Sequence, residues 1–240
     1  MAAQARGGTL VARVVRELSA LSLQREEGAY LGAEDDLIAK LGVSRPTLKQ
    51  AAKIAESERM ISVRRGIRGG FYAARPNVND SIRAINRYLR LRGVTLRELA
   101  VTGAISEEAA GFAAQCDDVG LHTQLKAMLV EARECIAPRA LLDFDTRFVG
   151  HLAVMSGNPV IEVIVAMSYS FGRDEQGIYL YANEEQQAVA REHFDAIGQA
   201  VLKRDSELAR FMMRRRLAVI GEWIGGADAS QFGPINQLET

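Results

Sequence analysis

Ser44-Arg45-Pro46-Thr47-Leu48-Lys49 and, fifteen to nineteen positions further on, Arg64-Arg65-Gly66-Ile67-Arg68 are the chain's most distinctive polar groupings. An arginine in the first turn of a helix can donate two bonds to the major-groove edge of guanine, as Arg45 would. Ser44, Thr47 and Lys49 are suited to phosphate oxygens, which fix position rather than read sequence. Arg64, Arg65 and Arg68 surround Gly66 and lead into Gly69-Gly70, a basic tip slender enough to approach a groove. Together these residues would bind double-stranded DNA. The bland alternative is an ordinary solvated helix followed by a solvated hairpin.

A second grouping lies far along the chain. Asp145 falls on a helical stripe with Leu141, Leu142, Phe148, Val149 and Leu152. His193 falls with Val189, Ala196, Ile197 and Ala200, and Arg216 with Met212, Ile220 and Trp223. Ionisable groups on apolar faces need partners. Several directed into one bundle make either a ligand site or a structural ion-pair network. No P-loop, GxSxG elbow, HExxH or dinucleotide fingerprint occurs. Asp145 with His193 lacks an accompanying nucleophile or oxyanion element, so no enzyme is expected.

The elements that must hold these residues follow from periodicity. Leu10, Val11, Val14, Val15, Leu18 and Leu21 predict an amphipathic helix over 9–24. Residues 34–41 predict a short helix with acids in its first turn, ended by Gly42. Ser44 can cap a second helix running to about Ser57, with Pro46 harmless in its first turn. The spacing is that of a helix-turn-helix. MISVRR and FYAA then read as two strands of a small hairpin. From residue 79 to about 224 the periodicity is helical throughout, with breaks near Gly93, 116–120, Ala137-Pro138, Gly157-Asn158-Pro159 and Lys203-Arg204-Asp205. Tyr169, Phe171, Tyr179 and Tyr181, around a GRDEQG loop, read as core packing or as an apolar extension of a pocket. His122 and His151 read as surface histidines.

Charge is unevenly distributed. Residues 1–78 hold 13 Lys/Arg against 8 Asp/Glu, and the rest 17 against 22, although the whole is formally neutral. A local basic face is what phosphate attraction requires. Cys116 and Cys135 form no CxxC pair, which argues against a disulfide scaffold or a cysteine zinc site and fits a reducing cytosol. No apolar run reaches the roughly 18 residues that span a bilayer. MAAQARGG lacks the apolar core of a secretory signal, so a cytoplasmic protein is expected.

AEDDLIAKLGVSRPTLKQAAKIAESERMISVRRGIRGGFYAA resembles the DNA-binding domain of the GntR family of bacterial regulators, over about residues 9–76. Three later segments, TLRELAVTGAISEEAAGFAA, DFDTRFVGHLAVMSGNPVI and REHFDAIGQAVLKRD with ARFMMRRRL, resemble the helical ligand-sensing (FCD) domain of its FadR-type subfamily. The resemblance implies a cytoplasmic homodimer that binds operator DNA and is released by a small organic acid or acyl-CoA. It also implies departures. The family's usual serine cap and arginine before the first motif helix are replaced by Ala33-Glu34-Asp35, and Lys49 stands where arginine is common. Many members hold a metal with one aspartate and three histidines. Asp145 and His193 match two of those positions, but the others are Val149 and Arg216, so no metal is expected. Arg216 would instead pair with an effector carboxylate, or close a core salt bridge with Asp145.

The expected fold is mainly α. A winged helix-turn-helix of three helices and a small β-hairpin would occupy 1–76, a linker 77–80, an all-α bundle of six or seven helices 81–226, and a flexible tail 227–240. Two alternatives remain: a regulator whose effector domain is degenerate and ligand-independent, or a helical enzyme or adaptor.

Overall fold

The computed structural model describes residues 2–66, 69–76, 78–172 and 177–226, apart from the side chains of residues 2–9, 80, 172 and 226. The chain divides into two compact units, 1–80 and 81–240. Arg68, Asn77 and the proposed tail 227–240 lie outside the described residues.

In the first unit, α1 (Ala2–Leu23) buries Val11, Val14, Val15 and Leu18 against α3. It begins earlier than the apolar stripe alone indicates. Helix α2 (Glu34–Leu41) ends at Gly42, whose φ of 62° is a left-handed conformation that glycine adopts without a Cβ penalty. Helix α3 (Arg45–Ser57) follows, burying Leu48, Ala51, Ala52 and Ala55. Among the described residues a three-stranded antiparallel sheet completes the unit, in the order β1 (Tyr30–Gly32), β3 (Gly70–Ala73), β2 (Ile61–Arg64). The hairpin matches the sequence reading. Strand β1 goes beyond the two-stranded hairpin that the sequence predicts; its three residues are too few to show alternation, and they pair with residues about 40 positions away.

Residues 77–80, expected to be a linker, are helical from Val78 onward. Helix α4 spans Val78–Leu91. The preceding Ala74-Arg75 is also tied down: fully buried Ser22 exchanges hydrogen bonds with the N–H and carbonyl of Ala74, each at 3.2 Å. Arg75 donates to the Ser22 carbonyl at 3.1 Å.

Among its described residues the second unit is helical wherever it is regular. It contains α5 (Leu96–Leu99), a 3₁₀ turn at 100–102, α6 (Gly103–Ala113), α7 (Val119–Glu134), α8 (Pro138–Met155) and α9 (Pro159–Gly172). A second 3₁₀ turn at 177–181, α10 (Glu184–Leu202) and α11 (Ser206–Gly226) follow. With the single turn α5 set aside, α4 and α6–α11 make seven helices among the described residues. Several of the anticipated breaks carry a side-chain cap, whereas Ala137 starts α8 without one. Asp118 accepts from Leu121 N–H to start α7, and Asp205 accepts from Leu208 N–H to start α11. Phe144, Phe148 and Phe194 form an interlocked aromatic core, with ring centroids 5.0–5.9 Å apart. Among the described residues no helix is long and apolar enough to cross a membrane.

Candidate nucleic-acid interface and effector site

The start of α3 is built as the sequence requires. Ser44 accepts from Thr47 N–H at 3.4 Å, and the two hydroxyls lie 2.8 Å apart. Ser44, Arg45 and Lys49 are exposed while Thr47 is half-buried, so this turn presents its polar groups to solvent. Arg45 is not free-standing. It donates to Asp35 Oδ1 at 2.6 Å and lies 3.6 Å from Glu34, whose carboxylate is also 3.9 Å from Lys49 Nζ. The acidic first turn of α2 thus supplies counter-charges to the cations at the start of α3. Ala33, in place of a capping serine, offers no side-chain acceptor; its own N–H bonds to Asp36 at 3.3 Å.

The wing follows directly. Glu56 of α3 accepts from Val63 N–H at 2.9 Å, fastening β2 to the helix. The Arg64 guanidinium stacks over the Tyr72 ring at 4.1 Å. Arg65 is exposed, and Gly66 turns the chain with a φ of 104°.

In the helical unit, Asp145 of α8 and Arg216 of α11 are almost completely buried, at 3 % and 2 % exposure. Arg216 donates to Asp145 Oδ1 at 2.5 Å and to the Tyr169 hydroxyl at 3.2 Å. Tyr181 donates to Asp145 Oδ2 at 2.6 Å. Burial works against the Arg216 charge, but Asp145, Tyr169 and Tyr181 outweigh it, and its pKa rises on balance. Burial, together with the adjacent carboxylate, pushes the Tyr181 hydroxyl well above its ordinary pKa, so it remains a donor. Of the two roles open to Arg216, this arrangement has the core salt bridge formed.

The other two positions lie apart from that network. Val149 is fully buried in the core. His193 is only half-buried, because the wall that α10 turns to the core runs through Ala190, Phe194, Ile197 and Val201. The bulk of Phe194 decides that face; the alanines near His193 are too small to compete. Burial and the positive charges of Arg216 and Arg215 depress the His193 pKa.

These residues do not fit the metal that the resemblance brings to mind. Both Asp145 oxygens already accept hydrogen bonds, and a buried guanidinium stands at one ligand position. Among the described residues no cluster of three His, Cys, Asp or Glu side chains is placed to hold an ion.

A cavity of about 120 Å³ lies between α5, α6, α8, α9 and α11. Asp145 contributes to its wall, whereas Val149, His193 and Arg216 do not. Its polar lining is Thr102, Ser106, Asp145, Thr146, Ser168 and Tyr169; the remainder is mostly leucine and isoleucine. Sequence reasoning missed these hydroxyls, since single Ser and Thr residues within helices carry no periodic signal. It did single out Tyr169 and Tyr181, but for their rings; their hydroxyls are the polar partners of Arg216 and Asp145. Phe171 packs in the core, and Tyr179 is 42 % exposed. The reading of His122 and His151 as surface residues is corrected. Both are half-buried, and the Nε2 of each lies within hydrogen-bond distance of a backbone carbonyl, His122 to Cys116 at 2.7 Å and His151 to Leu121 at 2.9 Å.

Residues 99–219 match the FCD domain family model. No curated protein matches the chain in sequence. Among solved structures, a GntR protein of Streptococcus agalactiae shares the fold, with a TM-score of 0.68 and 20 % identity over 88 % of this chain and 99 % of that one. Lar of Listeria monocytogenes, which controls expression of the agr system and mediates virulence, superposes with a TM-score of 0.47 at 16 % identity, covering 92 % of this chain and 97 % of its own. A GntR family transcriptional regulator from Pseudomonas syringae gives 0.38 at 13 %, covering 90 % and 86 %.

Proposed function

This chain belongs to the FCD domain family, and we propose that it is a DNA-binding transcription regulator whose winged unit reads operator DNA and whose helical unit senses an effector. The family and its structural neighbours are transcriptional regulators, not enzymes. The observation that carries the proposal is the start of α3. A capped helix with exposed Arg45 and Lys49 is followed at once by a wing bearing Arg64 and Arg65. The protein acts in the cytoplasm as a homodimer, two winged units meeting half-sites of a palindromic operator. Exposed apolar residues on α4, Ile85, Tyr88 and Leu91, support a paired state.

Regulation is repression relieved by ligand. A ligand shifts the balance between DNA-competent and incompetent arrangements only by its difference in affinity for them. An organic-acid effector would need Arg216 released from Asp145, and an acyl-CoA would need far more space than about 120 Å³. No metal takes part in this reading. A second reading, a ligand-independent effector unit, is favoured by the closed Asp145–Arg216 pair.

The test is selection of bound fragments from random duplex DNA, followed by anisotropy titration with wild type and Arg45→Ala. The variant should lose at least tenfold in affinity for the selected sequence and little for arbitrary duplex. Equal binding by both proteins would refute Arg45 as a reading residue, and failure to enrich any sequence would refute the regulator.

A further inference from the structure

We propose that the cavity beside Asp145 takes a small uncharged molecule, about the size of one six-membered ring, bearing an O–H or N–H donor. This rests on the helical unit being a sensor, and it names the chemical class sensed.

Size gives the first limit. Dry protein cavities of ~150 Å³ lined by aliphatic and aromatic side chains take up benzene. At about 120 Å³ the space suits a compact ring or short branched chain and excludes a long acyl group.

Charge gives the second limit. The nearest buried cation, Arg216, is spent on Asp145 and Tyr169 and does not line the cavity. The ionised group that does line it is the Asp145 carboxylate. An anion entering here would lose its water and meet a like charge. A cation would find that charge already answered by Arg216, which leaves little to repay its own desolvation.

Hydrogen-bond polarity gives the third. Thr146 donates to the Leu142 carbonyl at 3.0 Å, Ser168 to the Ile164 carbonyl at 2.8 Å, and Thr102 to the Leu99 carbonyl at 2.7 Å. With their protons directed at backbone, these hydroxyls keep lone pairs as acceptors. Thr102 also lies 2.9 Å from Ser168 Oγ, which can accept its proton, so the two hydroxyls have no donor to spare and present their remaining lone pairs on one wall. The part of the polar wall made by Thr102, Thr146 and Ser168 therefore asks for a donor, while Leu142, Leu217 and Ile220 ask for hydrocarbon.

The experiment is calorimetric titration of the full chain at pH 7 with phenol, cyclohexanol, benzoate and toluene. The set varies charge and donor at nearly constant ring size. Phenol and cyclohexanol should bind at least tenfold more tightly than benzoate or toluene. Ser168→Leu, which fills the cavity, should weaken phenol at least tenfold while circular dichroism shows the fold retained. Should that variant misfold, Thr102→Val removes an acceptor at constant shape and should weaken phenol but not toluene. Benzoate or toluene binding as tightly as phenol would overturn the proposal, as would absence of phenol binding up to its solubility. The titrations contain no DNA, so their failure is separable from any failure of operator binding.

Discussion

Asp145 and Arg216, 71 residues apart in sequence, meet at 2.5 Å in the interior, and each is almost wholly removed from solvent. Such a pair contributes less than its distance suggests, because both ions give up hydration to form it. Removing one partner is another matter. Arg216→Met should destabilise the helical unit by ~3–5 kcal/mol in urea unfolding, since Asp145 would be left buried and uncompensated. The double variant Arg216→Met with Asp145→Leu should recover most of that loss. Equal destabilisation in both would show that shape rather than charge pairing dominates.

Asp35 restrains Arg45. Asp35→Ala should release the guanidinium and remove a negative charge from the DNA-facing surface, raising affinity for arbitrary duplex up to about fivefold, the scale of an exposed ion pair. Anisotropy titration at low salt reads this directly. Weaker binding would mean that Asp35 instead orients Arg45 for base contact.

The wing arginines should differ. Arg65 is exposed, whereas Arg64 rests on Tyr72. Arg65→Ala should lower the slope of log affinity against log salt by about 0.9, the loss of one phosphate contact. Tyr72→Phe retains an aromatic face for Arg64 and should leave the slope unchanged.

Proton linkage at His193 should be visible in melting temperature. Its pKa is depressed from 6.5 by burial first and then by the neighbouring arginines. The folded state therefore favours the neutral ring. The contribution to stability is present above pH 6.5 and is lost as the pH falls through the lowered folded value. His193→Gln should flatten the decline of melting temperature between pH 7.5 and 5 relative to wild type. An identical pH profile would refute this assignment.

Divalent metal should leave the protein unmoved. With both Asp145 oxygens engaged, neither Zn²⁺ nor Ni²⁺ should raise the melting temperature, and EDTA should not lower it. A ligand present at a hundredfold its Kd would stabilise by ~2.7 kcal/mol, an effect readily seen by differential scanning fluorimetry.

The legible features were those written in local chemistry. Gly42 between two helical patterns, Ser44 ahead of Pro46, and the acids of 34–36 place α2 and α3 without any distant information. Asp145 was legible as buried because its neighbours on the stripe are large and apolar. What was not legible depends on partners remote in the chain. Strand β1 exists because β3 lies beside it, and no three-residue pattern announces that. His193 was placed too deep because spacing cannot weigh Phe194 against alanine. The choice between a ligand anchor and a salt bridge at Arg216 was open until the helices α8 and α11 were seen side by side.

Ser22 closes a ring. The end of α1 and the exit of β3 are knotted through one hydroxyl and the Arg75 guanidinium. The edge of the winged unit is thus set by a clasp rather than by composition. A fragment for DNA work that stops short of residue 75 would lose the clasp and fray at both ends, whereas one cut just beyond Pro76 would keep it.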